Sequence, residues 1–215
     1  RLGTFFIVTH KWCAMNCLYC GGCRQAQQKT FNREHVYRRG VREVRQDIME
    51  AKPYASTLMF EFDIPDKNLR EYCRQIWEGI DLTGHYCIFS TLEPPSAALI
   101  ELVSQTFNYV YWDFDICTPS ERHRNQLYTL GLVKPQPSDE DILDFMDRCE
   151  KYQNLEVRLN IITGLPYFTP GDIEPGERLL SKIMTDYTCF SELHWARLHA
   201  QPGAPVTGDA GKYEM

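Results

Sequence analysis

The chain has 215 residues, 43% of them hydrophobic, which is enough for one sizeable core and within the range of a single large domain. A formal net charge of -6 and basic residues scattered along the chain exclude a surface that tracks a phosphate backbone, so no nucleic-acid partner is expected. No apolar run reaches the length of a bilayer span and no leader pattern opens the sequence, which predicts a soluble, cytoplasmic protein with no membrane partner. The sequence opens on Arg1 and runs straight into an apolar segment, so residues 1–215 are expected to be one catalytic domain of a longer chain.

Thr4 to Thr9 (TFFIVT) is a β-branched and aromatic run that reads as a buried strand leading at once into a cysteine-rich loop. Val36, Val41, Val44 and Ile48 at helical spacing predict a helix over about Arg33 to Ala51, stopped by Lys52 and Pro53. Thr57 to Phe62 is a second strand, and Asp66 to Ile80 a helix with Leu69, Cys73, Ile76 and Trp77 on one face. Tyr86 to Phe89 reads as a strand, Pro95 to Phe107 as a helix and Tyr109 to Ile116 as a strand. Ser138 to Tyr152 is a helix opened by a capping box in which Asp141 stands in for Glu, followed by a strand from Leu155 to Thr163. Gly176 to Tyr187 gives a further helix and Glu192 to Ala200 a last strand. Six such βα-like units predict a parallel sheet with right-handed crossovers that curls toward a barrel. Ligands collect at the C-terminal ends of the strands in such sheets, and the cysteine loop follows the first of them.

Nine cysteines in a chain of this size do not call for disulfide staples, because the apolar content supplies a core. Cys13, Cys17, Cys20 and Cys23 fall within eleven residues, a crowding that suits a metal. The dispersed cysteines read as small buried apolar side chains. The spacing C-x-x-x-C-x-x-C over Cys13, Cys17 and Cys20 lets three thiolates wrap one face of an iron-sulfur cube and leaves one iron open to a cofactor. Cys23 is then a spare thiol, either inert or redox-active. The competing chemistry is a zinc site, since Cys20 to Cys23 is itself a C-x-x-C, although no second pair follows at the required distance.

With Tyr19 just before the third cysteine and the loop placed after the first strand, the sequence resembles the radical S-adenosylmethionine (SAM) superfamily. The resemblance implies a partial (β/α)6 TIM-like barrel with parallel strands, open on one side. It also implies a 4Fe-4S cluster on Cys13, Cys17 and Cys20, SAM chelated at the open iron, and reductive cleavage of SAM to a 5'-deoxyadenosyl radical. An electron donor such as flavodoxin or ferredoxin and a small-molecule or peptide substrate go with that chemistry. For SAM contacts the resemblance points to Tyr19, to Gly21 and Gly22 after the cluster motif, and to Glu61 and Asp63, where the superfamily often has Gly-Gly-Glu. It points likewise to Asp115 for the ribose, Arg124 for the carboxylate, Asn160 for the ribose or adenine, and the backbone around His199 for adenine. His10 and His199 are candidates for proton transfer. Cys-Gly-Gly after the motif, Thr118-Pro119-Ser120-Glu121 with a following Arg, and Gly164-Leu165-Pro166 with Thr169 resemble the cobalamin-associated branch. A cobalamin-dependent methyltransferase of natural-product biosynthesis is therefore expected. Its rivals are a cobalamin-independent radical SAM enzyme and, from another class, a zinc-stabilised binding module.

Overall fold

The computed structural model describes residues 3–11, 13–62, 68–91, 93–208 and 210–213. Strand β1 (Thr4–Ile7) is followed by the short β2 (His10–Lys11), α1 (Arg24–Phe31), β3 (Tyr37–Arg38) and α2 (Val41–Ala51). The chain continues through β4 (Thr57–Phe62), α3 (Leu69–Trp77), β5 (Tyr86–Thr91), α4 (Ala97–Thr106), β6 (Tyr109–Cys117) and α5 (Glu121–Thr129). It closes with α6 (Asp139–Cys149), β7 (Leu155–Thr163), α7 (Ile173–Asp186) and β8 (Phe190–Arg197), and three 3₁₀ turns complete it.

Six strands form one sheet in the order β1-β4-β5-β6-β7-β8, every pair parallel, which is the expected topology of sequential βα units. Among the described residues β1 pairs in this sheet only with β4, and β8 only with β7, so the barrel stays open along one seam. The (β/α)6 fold is therefore partial, as the resemblance implied. No helix among the described residues is long and apolar enough to cross a membrane.

The strands alternate between a fully buried row and a half-buried row. Phe60, Phe89, Trp112 and Phe114 lie in the buried row and pack beneath the helices, with Phe89 and Trp112 ring centroids 4.7 Å apart and Phe114 and Phe145 4.9 Å apart. The opposite, concave row is polar and aromatic, which is unusual for parallel strands normally buried on both sides. It forms the wall of an open chamber.

Two expectations are corrected here. The helix expected from Arg33 begins only at Val41, where Gly40 caps it and the Glu43 carboxylate bonds the Gly40 N–H at 3.1 Å. Upstream of Gly40 the chain forms β3, paired antiparallel with β2, and a separate helix, α1. The last strand ends at Arg197, so His199 lies in the exposed segment beyond it.

Candidate functional site

Cys13, Cys17 and Cys20 share one loop at the C-terminal edge of the sheet. Its position is set by the Thr9 hydroxyl donating to the Glu61 carbonyl of β4 at 3.0 Å, and by Leu18 N–H donating to the Leu132 carbonyl at 2.7 Å. None of the nine cysteines is in a disulfide. Backbone N–H groups point at the loop's sulfurs: Met15 donates to Cys13 at 3.4 Å and Gly22 to Cys20 at 3.3 Å, while the Lys134 amide supports Cys17. Burial and the neighbouring Cys117, Cys20 and Cys13 thiols push the Cys17 thiol up to about 12, so it is protonated until a metal displaces the proton. Among the described residues no group of three or more His, Cys, Asp or Glu side chains converges closely enough to hold a single metal ion. Tetrahedral zinc requires that convergence, with sulfurs about 2.3 Å from one centre. Three thiols on one loop are the donor set that an iron-sulfur cube takes at three of its corners.

Cys23 has a local role. It caps α1, its sulfur accepting from Ala26 N–H at 3.4 Å while the residue is buried. A helix start therefore accounts for the fourth cysteine of the run.

Tyr19 turns its phenol toward Cys117, with oxygen and sulfur 3.3 Å apart. Cys117 sits at a register shift between β6 and β7 and adopts φ 54, a left-handed backbone that a non-glycine residue avoids unless its surroundings enforce it. The kink turns its thiol inward toward the Tyr19 phenol. Asp115, two residues earlier on the concave row, lies 3.9 Å from Lys134 Nζ, and the Lys134 side chain is only 7% exposed. Lys134 was missed from the sequence, because it lies in an aperiodic loop after α5 with no pattern to single it out.

The remaining predicted residues divide. Glu61 and Asn160 both lie on the concave row, and Asn160 Oδ1 hydrogen-bonds His194 Nδ1 at 3.1 Å. Asp63 lies outside the described residues. Gly22 leaves the Cys20 sulfur in ordinary contact with the space a Cβ would fill. Gly21 serves the protein's own tail: a Cβ there would meet Gln201 Cβ and the Pro202 carbonyl at 3.0 Å, and its N–H donates to Gln201 Oε1 at 2.6 Å. His199 is exposed, whereas His10 belongs to β2 with its Nδ1 3.0 Å from the Thr9 hydroxyl.

Arg124 is a correction. It does not face the chamber, because its side chain is fully buried and bonded to the carbonyls of Pro137, Thr118 and Pro119 at 2.8–3.0 Å and to the Asp139 carboxylate. The guanidinium staples α5 to the start of α6. No carboxylate of a bound molecule can reach it without dismantling that joint.

The concave row resolves into registered layers. Asp115, Asn160 and His194 form the layer beneath the cysteine loop, and Glu61, Ser90, Asp113, Arg158 and Glu192 the next one down. Tyr111 and Glu156 follow below. Arg158 donates Nε and Nη2 to the two Asp113 oxygens at 2.7 and 2.8 Å. Burial nevertheless raises Asp113 above its ordinary value, against the pull of Arg158. Strand alternation in the sequence puts these residues on one face, but the register that makes them neighbours comes only from the fold.

No family model matches the sequence, and neither does any curated protein. Among solved structures the chain is similar to the crystal structure of HydG, a maturase of the [FeFe]-hydrogenase, with a TM-score of 0.52 and 14% sequence identity. The match covers 91% of this chain but 42% of that one, so the chain spans less than half the length of HydG. At that identity the likeness is one of fold: an open, parallel, TIM-like barrel.

Proposed function

We propose that the protein is a radical SAM enzyme. The observation that carries this reading is the placement of three thiols, Cys13, Cys17 and Cys20, outside any disulfide and on the loop that leaves β1 at the C-terminal edge of an open parallel barrel. The likeness to HydG, a maturase of the [FeFe]-hydrogenase, supports it at the level of fold. When bound, the cluster and SAM supply reductive generation of a carbon radical.

The chain's own residues hold and shield that chemistry. Cys13, Cys17 and Cys20 would ligate three irons, and the N–H groups of Met15, Gly22 and Lys134 would temper the thiolate charge. Leu18, Leu132, Val133, Leu165, Ala204 and Val206 form a second apolar cluster, which anchors the loop through the buried Leu18. Asp115 and Asn160, register partners in one layer of the chamber wall, would offer acceptors to a ribose hydroxyl. An electron donor of the flavodoxin or ferredoxin type and a cytoplasmic setting belong to the proposal.

Cobalamin-dependent methyl transfer is the finer form of this reading. The motifs that pointed to it carry scaffold roles here: Gly21 seats the tail, Ser120 caps α5 through His123 N–H, and Pro166 accepts from the buried His123. Cobalamin binding and methyl transfer by the protein in its natural length would support that finer form.

Anaerobic reconstitution tests the class. About four iron and four sulfide per chain are expected, lost in Cys13→Ala, Cys17→Ala or Cys20→Ala, together with SAM cleavage under a strong reductant. Stoichiometric zinc without iron would reject it in favour of the binding module.

A further inference from the structure

One side chain in the chamber wall, Arg158, is bonded along one edge of its guanidinium and open along the next. Asp113 takes one edge of the Arg158 guanidinium through Nε and Nη2, and among the described residues Nη1 has no acceptor. The Arg158 side chain is 30% exposed and opens onto the concave face. The Tyr111 ring, 5.8 Å from the guanidinium carbon, adds a cation–π contact from the layer below. A guanidinium braced along one edge and open along the next offers two parallel N–H donors to a planar oxyanion.

Geometry selects among oxyanions. Glu61, Asp113 and Glu192 are registered in the same layer as Arg158. The two parallel donors of the open edge match the two coplanar oxygens of a carboxylate, whereas a tetrahedral phosphoryl dianion fits that edge less well and brings a second negative charge beside the Asp113 carboxylate. The layer also stands at a useful depth. Two residues of parallel strand separate it from Asp115 and Asn160, about 6.6 Å at ~3.3 Å per residue, so a molecule anchored at Arg158 extends up toward the cysteine loop. Strand adhesion alone does not require this pair, because β6 and β7 already share backbone pairing from Val110 to Cys117 and an apolar pair would serve the joint as well.

We propose that Arg158, braced by Asp113, is a substrate-binding residue that anchors a carboxylate on the molecule turned over in the chamber. This rests on the reading of the chamber as the reaction site given under Proposed function. Arg158 sets specificity by orientation: it fixes the substrate's charged end and presents the opposite end to the cofactor level.

The test uses three probes that share one ring and differ in head group: benzoate, benzylamine and phenyl phosphate. Binding is read by ligand-observed NMR on the whole protein, with and without the reconstituted cluster. Benzoate should bind about tenfold or more tightly than the other two, and Arg158→Met should weaken it by about tenfold or more while the other probes stay unchanged. Equal binding of the three probes by the unmodified protein overturns the proposal, as does unchanged benzoate binding in a folded Arg158→Met variant. If Arg158→Met does not fold, the head-group preference of the unmodified protein decides by itself. The outcomes also separate the two proposals. Benzoate selectivity in a protein that takes up no cluster would keep the anchor and reject the enzyme class, whereas cluster loading without selectivity would do the reverse.

Discussion

At the residue scale, Arg124 and Arg158 show how little an arginine's place in the sequence says about its work. Both follow strand-borne polar residues, yet one is sealed inside a joint and the other opens onto the chamber. The difference is measurable. Arg124→Met removes the donors that satisfy the Thr118, Pro119 and Pro137 carbonyls, and a buried acceptor left without a partner costs about 1–3 kcal/mol. A loss of about 3 kcal/mol or more in denaturant unfolding is expected for Arg124→Met, with no rescue by Arg124→Lys, because a single ammonium cannot span the same set of acceptors. Unchanged stability with weakened SAM binding would restore the sequence-based assignment of Arg124 to the cofactor carboxylate.

At the element scale, α5 is held from outside its own sequence. Asp172, in the 3₁₀ turn before α7, accepts from the Ser120 hydroxyl and Arg122 Nε at 2.7 Å, from Thr169 N–H and hydroxyl at 2.8 Å, and again from Arg122 Nη2. Arg122 above all, then Ser120 and Thr169, hold its carboxyl well below the ordinary 3.8, against the cost of burial. The folded value is thus depressed relative to the unfolded one. The resulting stability is fully present above about pH 4 and drains away as pH falls further, because the unfolded chain takes up the proton first. Compared with Asp172→Asn, the unmodified protein should hold a constant advantage between pH 7 and 5 in urea unfolding. Below pH 4 about 1–2 kcal/mol of it should disappear. An advantage that grows on acidification would contradict the assignment.

The same element marks the limit of reading sequence alone. β4 and β7 stand where their alternating runs predicted, because hydrophobic alternation and burial coincide there. Helix α5 (ERHRNQLYT) and helix α1 (RQAQQKTF) were not foreseen, since neither carries an apolar stripe. In α1 only Ala26 is buried, and in α5 the buried set includes His123 and Arg124, polar groups satisfied by distant partners. Propensity and periodicity carry no trace of such long-range polar bonding. The place of the cysteine loop after β1 was legible, because it follows from local spacing and the first strand run. The chamber wall was not, because its neighbours are set by strand register.

At the scale of the whole molecule, the open seam is the feature that the parallel topology leaves unresolved. Among the described residues β1 and β8 each present an unpaired edge, and Phe5, Phe6 and Trp195 on these strands are about half exposed. Unpaired parallel edges lack the mutual cover that β5 and β6 enjoy at the sheet's centre, where every residue from Tyr86 to Thr91 is registered on both sides. Hydrogen exchange should therefore run as a gradient across the sheet. Amides of β5 and β6 should open only with global unfolding, whereas those of β1 and β8 should exchange through local fraying at a much smaller free-energy cost. Protection of β1 and β8 equal to that of the central strands would mean that the seam is closed in solution, by a second copy or by further chain. In that case the accessible chamber on which the substrate anchor depends would need another entrance.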